Sequence, residues 1–257
     1  MLALITGASS GLGLALSHAL FKQGYSLILV ARNEEKLKET AAHLPSSTQT
    51  ICADLSQREH RKVLIDIIHQ KQPDLIINNA GFGLYGPAHT QPLSELKEMV
   101  EVNIEALLEL SIEGAKAMLQ ARKKGRILNI SSAAAFFSYP TFSVYAATKA
   151  FVNSFSESLD AEMKRHEIRV YAACPGQIDT NFRAKASRNH PQQKDNMTMS
   201  AETAAKLILK EMEKNKPIFI VDWRYRIMVA ISRLLPKRLL QGYLERSLKD
   251  RYVNHRC

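Results

Sequence analysis

The chain has 257 residues, a length that suits one large α/β sheet protein better than several small domains. Its apolar content is 46% and its three cysteines, Cys52, Cys174 and Cys257, include no CxxC pair, so neither a disulfide framework nor a metal site is expected and a reducing cytoplasm fits best. The formal charge is +10, of which +7 lies in residues 216–257, where ten Lys or Arg face three carboxylates.

The chain opens on LALIT (2–6), an apolar run that reads as a buried strand, and continues into a helical stretch over 11–23. With the strand opening at residue 2 no signal peptide is expected, and no later run approaches the ~18 apolar residues of a membrane span. TGASSGLG (6–13) puts Gly7, Gly11 and Gly13 at the strand-to-helix turn. Glycines there permit a tight turn and close backbone approach, and the helix N-terminus offers free N–H groups to a pyrophosphate. The spacing is GxxxGxG rather than GxGxxG, so the context carries the reading. Gly7-Ala8-Ser9-Ser10-Gly11 also matches the G-x-S-x-G nucleophile elbow of hydrolases, a reading that leaves Gly13 without a role. The second strand, SLILV (26–30), runs into Arg32, where an acidic residue would favour an NAD ribose and an arginine can accept the 2′-phosphate of NADP.

Further strands are expected at TICA (50–53), DLIIN (74–78), RILNI (126–130), RVYAAC (169–174) and PIFIV (217–221). Helical stretches cover 33–43, 56–71, 92–121, 143–166 and 200–213, with Ser56, Ser94 and Ser200 as N-caps. This alternation predicts a parallel, doubly wound, Rossmann-like sheet, a single α/β domain over 1–221 with a basic helical extension over 222–257. The segment 181–200 is polar and aperiodic and reads as a long mobile loop.

Within the stretch 143–166, Lys149 follows Tyr145 by four residues, one helical turn on. An ammonium beside a phenol favours the phenolate and draws its pKa toward the range useful for proton transfer. The pair alone is common, so its meaning depends on its company. Phe136, Phe137, Tyr139 and Phe142, together with Phe82, Leu84 and Tyr85, are candidates for an apolar pocket or for plain packing.

Taken together and in order, these motifs resemble the short-chain dehydrogenases/reductases, over nearly the whole chain to about residue 221. The matching residues are Thr6-Gly7 with Gly11-Leu12-Gly13, Asp54, Asn78-Asn79-Ala80-Gly81, Asn103, Ser132, Tyr145 with Lys149, and Pro175-Gly176 with Thr180. The resemblance implies an NADP(H)-dependent oxidoreductase acting on a small alcohol or carbonyl substrate. Tyr145 would exchange the proton, Lys149 would lower its pKa and hold the nicotinamide ribose, Ser132 would hold the substrate oxygen, and Asn103 would hold a relay water. Gly7, Ser9, Ser10, Gly11, Leu12, Gly13, Arg32, Asp54, Leu55, Asn79, Ala80, Gly81, Pro175, Gly176, Ile178 and Thr180 would contact the cofactor, with Ser9 joining Arg32 at the 2′-phosphate. A homo-oligomer, dimer or tetramer, is implied. A nucleotide-sensing protein without chemistry is the alternative, but such a protein is expected to lose the Tyr–Lys pair. Nucleic acid is not an expected partner, because the basic charge sits in no recognised nucleic-acid motif.

The tail carries its own pattern. Trp223, Ile227, Ile231, Leu234 and Leu235 before Pro236, and Leu239, Leu240, Tyr243, Leu244 and Leu248 after it, are apolar at helical spacing with basic residues interleaved. This predicts helical segments over 223–251, broken near the proline. Such segments suit an interfacial helix on an anionic membrane, a cover over an apolar substrate entrance, or a helix packed on its own domain or on a partner subunit.

Overall fold

The computed structural model describes residues 1–45, 47–188, 197–236, 238, 241, 242, 244 and 246. In chain order the regular elements run β1 (Leu2–Thr6), α1 (Gly11–Lys22), β2 (Ser26–Ala31), α2 (Glu34–Ala42), β3 (Gln49–Cys52), α3 (Arg58–Lys71) and β4 (Leu75–Asn78). They continue with α4 (Leu93–Val100), α5 (Leu107–Gln120), β5 (Gly125–Ile130), α6 (Ser143–Met163), β6 (Ile168–Cys174), β7 (Ile178–Asp179) and α7 (Asn181–Ala186). The described regular elements close with β8 (Met199–Ser200), α8 (Ala201–Met212), β9 (Ile218–Ile220) and α9 (Trp223–Ser232).

Seven strands form one parallel sheet in the order β3-β2-β1-β4-β5-β6-β9, the Rossmann-like arrangement that the alternation predicts. The strand order reverses between β1 and β4, which pair directly from Ala3↔Leu75 to Ile5↔Ile77. A doubly wound sheet leaves its ligand crevice at that reversal, outside the carboxyl ends of the strands.

Both faces of the sheet are covered, which explains why the strands read as unbroken apolar runs. Ala3 and Ile5 of β1 pack with α1 and α8 on one side, while Leu4 packs with α3 and α5 on the other. The carboxyl end of the sheet also holds a buried polar chain. Asn78 of β4 donates to Asn129 Oδ1 of β5 (2.8 Å) and to Ser111 Oγ of α5 (3.0 Å), and Asn129 donates to Ser156 Oγ of α6 (2.9 Å). These bonds lock two strands and two helices together beneath the crevice.

Several boundaries differ from the sequence reading. Ser200 does cap α8, accepting from Thr203 N at 3.2 Å. Ser56 instead bonds to Asp54 Oδ1 and leaves Gln57 as the residue before α3, and Ser94 lies inside α4, which starts after Pro92. The long helix expected over 92–121 is divided by a π-helical segment, Glu101–Ala106. The expected loop 181–200 contains α7, with Thr180 as its cap, and β8, which pairs with β7; residues 189–196 lie outside the described chain.

Candidate active site

Three turns build one wall of the crevice. After β1, Gly7 and Gly11 sit at φ +65° and +54°, left-handed conformations that side chains other than glycine's adopt only with strain. Gly13 serves a different need: a Cβ there would lie 2.2 Å from the Gly7 carbonyl oxygen, so the first turn of α1 closes directly onto the glycine turn. Ser10 precedes α1 without a side-chain capping bond, and the dipole of that helix end faces the crevice. After β4, Asn79 Nδ2 donates to Thr6 O (2.9 Å) and Gly7 O (3.3 Å), while Thr6 Oγ1 accepts from the N–H groups of Asn79 and Ala80. From the far side, the Thr180 methyl approaches Gly11, where a Cβ would meet it at 2.9 Å.

Gly7, Gly11, Gly13, Asn79, Ala80 and Thr180 therefore meet at the topological switch point. Gly13 lets the turn after β1 close onto α1 beside an uncapped helix N-terminus, and that chemistry fits a phosphate-bearing cofactor. Arg32 lies just past β2, close to the turn through the Ala8 N–H bond to Val30 O (3.1 Å), and pairs at 3.2 Å with Glu98. Both partners are solvent-exposed, so this pair adds at most about 1 kcal/mol. Asp54 closes the turn into α3: Oδ1 accepts from Ser56 N and Ser56 Oγ, and its own N–H is accepted by His60 Nδ1. Leu55 is buried in the core under α3.

The other wall comes from β5, α6 and the π-helical segment. Ser131 Oγ donates to the Lys149 carbonyl (3.0 Å) and Lys149 Nζ donates to Ile130 O (2.8 Å), fixing α6 against the end of β5. Ser132 begins a short 3₁₀ turn, accepts from Ala134 N at 3.1 Å and lies beside Tyr145, whose pKa it draws down. Asn103 is fully buried; its side chain bonds both the N–H and the carbonyl of Phe82 and donates to Thr148 Oγ1. A Cβ on Gly81 would lie 2.8 Å from Asn103 Oδ1 and 3.5 Å from Lys149 Nζ, so this glycine lets the β4 turn pass between them.

Tyr145 is enclosed by aromatic rings. Phe142 stacks on it at 4.3 Å, Tyr85 stacks on Phe142 at the same spacing, and Phe182 of α7 closes in at 5.6 Å. This burial raises the phenol pKa above its ordinary value, with the Ser132 hydrogen bond pulling the other way. Burial also brings the Lys149 ammonium down to about 8. The Lys149 Nζ turns to Ile130 O and stands 5.7 Å from the tyrosine ring centre, and burial sets the direction of the phenol shift.

Of the candidate pocket residues, Phe82, Leu84, Tyr85, Tyr139 and Phe142 cluster around Tyr145 together with Met99 and Phe182. Phe136 and Phe137 belong instead to a small cluster with Val229 and Leu244 of the tail. The sequence reading missed Tyr225 of α9, which reaches the site from the tail. A Cβ on Gly176 would fall 2.0 Å from its ring, and its hydroxyl accepts from Gln177 N at 3.2 Å. Pro175 O in turn accepts from Ala133 N (2.8 Å), so α9 braces the turn that joins both walls. Only the i,i+4 pair Tyr225 and Val229, lying off the apolar stripe, hints at this inner face. Among the described residues no cluster of three or more His, Cys, Asp or Glu is placed to hold a metal.

A family model described as short chain dehydrogenase matches residues 1–191. Serine 3-dehydrogenase from Rhizobium radiobacter is 32% identical over 197 residues, covering 76% of this chain and 78% of the relative. A short-chain dehydrogenase from Sphingobium yanoikuyae, solved in complex with NADPH, superposes with a TM-score of 0.82 at 25% identity, covering 100% of this chain and 98% of the other. One from Burkholderia phymatum, solved in complex with NAD, gives a TM-score of 0.79 at 22% identity and covers 90% and 92%.

Proposed function

The chain belongs to the short-chain dehydrogenase family, and from that premise we propose that it interconverts an alcohol and a ketone or aldehyde with NADP(H) as favoured cofactor. The observation that carries this reading is the convergence of Ser132, Tyr145 and Lys149 beside Gly81, facing the glycine cradle across one crevice. The cofactor, when bound, supplies or receives the hydride. Tyr145 gives its hydroxyl proton to the oxygen that becomes an alcohol, and takes it back in oxidation. Ser132, which lies beside Tyr145, holds that oxygen. Lys149, whose pKa burial brings down to about 8, supplies the cation beside the tyrosine ring that would favour the phenolate form. The Asn103 amide is committed to Phe82 and Thr148, which supports a role in positioning the turn after β4.

The aromatic surroundings of Tyr145 favour an apolar carbonyl substrate. The hydrolase reading of GASSG leaves Gly13 idle, whereas Gly13 is the residue that admits α1 to the turn. Relatives of this fold carry either NADPH or NAD, so the cofactor preference rests on Arg32.

Stopped-flow NADPH oxidation against a panel of aryl and alkyl ketones and aldehydes tests the reaction, and Arg32→Asp tests the preference. The substitution is expected to cut the NADPH-over-NADH preference roughly ten- to a hundredfold, the size of a charged hydrogen bond worth about 1.5–3 kcal/mol. Equal use of both cofactors by the parent protein would remove Arg32 from the 2′-phosphate site.

The brace from α9 gives a second expectation. Tyr225→Ala should destabilise the fold by about 2–4 kcal/mol and weaken NADPH binding, because the Pro175–Gln177 turn loses its backing. Tyr225→Phe keeps the ring and should retain most of both. Calorimetry with a cofactor titration separates them, and unchanged NADPH affinity in Tyr225→Ala would show that the tail does not support the site.

A further inference from the structure

The exposed large apolar side chains are not scattered evenly. Five of the nine among the described residues, Trp223, Ile227, Ile231, Leu234 and Leu235, lie on α9 and the turn that follows it. Trp223, Ile227 and Ile231 recur every fourth residue, about 40° apart around the helix, and so form one stripe. Trp223 is 67% and Leu234 85% exposed. The opposite face carries Tyr225 and Val229, buried on the Gly176 turn and on Phe137. One helix thus has an inner face that braces the site and an outer apolar face without a described neighbour to cover it.

Charge decides what suits that outer face. At helical spacing Arg224 borders the stripe on one side and Arg226 on the other, each paired with a carboxylate of the chain, Asp222 and Glu211 respectively. Arg233, Arg238 and Arg246 are exposed beyond the helix and make no ion pair with a described carboxylate. Most of the net positive charge of the chain lies in this tail. An apolar stripe bordered by arginines, with a tryptophan at its start, is the pattern that lies in the plane of an anionic lipid interface. A second copy of the chain would bring the same excess of positive charge to the contact. No described helix is long and apolar enough to cross a membrane, so contact would be made on the surface.

We infer that α9 and the turn after it dock this protein on an anionic membrane surface, with Trp223, Ile227 and Ile231 entering the interface and the exposed Arg233 and Arg238 meeting lipid phosphates. Because the inner face of the same helix backs the Pro175–Gln177 turn, docking sets the active-site crevice about one helix diameter, ~10 Å, from the lipid.

Trp223 is the only tryptophan in the chain, so its emission reports on the stripe directly. With the full-length protein and equimolar phosphatidylglycerol–phosphatidylcholine vesicles at low salt, we expect co-sedimentation and a blue shift of the Trp223 emission, both reversed by salt and both weak with phosphatidylcholine alone. Ile227→Ser/Ile231→Ser should reduce partitioning more than about tenfold, and Arg233→Ser and Arg238→Ser about fivefold each. These positions are exposed, so thermal unfolding and solution turnover should stay at parental levels. Absence of vesicle binding overturns the proposal. So does an emission already blue-shifted without lipid, whether it depends on protein concentration and accompanies a dimer that Ile227→Ser/Ile231→Ser dissolves, or is independent of concentration and marks a stripe covered within the chain.

Discussion

Tyr145→Phe is expected to lower turnover about a thousandfold, within the ~10²–10⁴ range of a general acid–base group, while NADPH affinity changes by no more than about threefold. The ring that stacks on Phe142 at 4.3 Å remains, so the aromatic enclosure keeps its packing. Ser132 retains its bond from Ala134 N, so no buried hydroxyl is orphaned and stability should move by less than about 1 kcal/mol. What disappears is the hydroxyl proposed to carry the proton to the substrate oxygen. Single-turnover kinetics under saturating NADPH would expose the loss in the chemical step, and a mutant turning over at even a tenth of the parental rate would mean that another group moves the proton.

Two features of the site were legible in the sequence for physical reasons that are easy to name. A strand buried on both faces must be apolar throughout, so LALIT and RVYAAC announced themselves, and a turn that needs φ > 0 or close backbone approach must be glycine, so Gly7, Gly11 and Gly13 stood out. Tyr145 and Lys149 share a helical face by spacing alone. Their electrostatics did not follow from spacing, because the pKa of a phenol depends on what covers it, and the covering rings Phe142 and Phe182 come from other turns. The π-helical segment at Asn103 was invisible for a similar reason: it accompanies side-chain bonds to Phe82, twenty-one residues away. Tyr225 and Gly176 are forty-nine residues apart, and no local pattern pairs a tail tyrosine with a glycine in the core. The tail showed its apolar stripe plainly but not which of its faces would be outward. The expected continuation through Leu239, Leu240, Tyr243 and Leu248 lies outside the described residues, while Leu244 is buried beside Val229.

Gly13→Ala is expected to have the larger structural effect of the two. The added methyl would sit 2.2 Å from Gly7 O and 2.5 Å from Asn79 Nδ2, and neither can yield cheaply. The carbonyl belongs to a turn held at φ +65°, and the Asn79 amide is bonded to Thr6 O and Gly7 O. Either α1 withdraws from the turn or the turn opens, and both move the helix N-terminus away from the cradle. A core overpacked against backbone loses about 1–3 kcal/mol or more, and NADPH affinity should fall by at least about a hundredfold, because close approach of main-chain N–H groups is what the glycine provides. Gly24→Ala is the matched control. Gly24 also has positive φ, +82°, but a Cβ there meets nothing within 4 Å, so the substitution should cost only about 1 kcal/mol of backbone strain and leave NADPH binding intact. Thermal unfolding and a fluorescence titration of NADPH on both variants decide the matter. If Gly13→Ala binds NADPH as well as Gly24→Ala does, the cradle between Gly7 and α1 is not where the cofactor phosphates lie, and the crevice assignment fails with it.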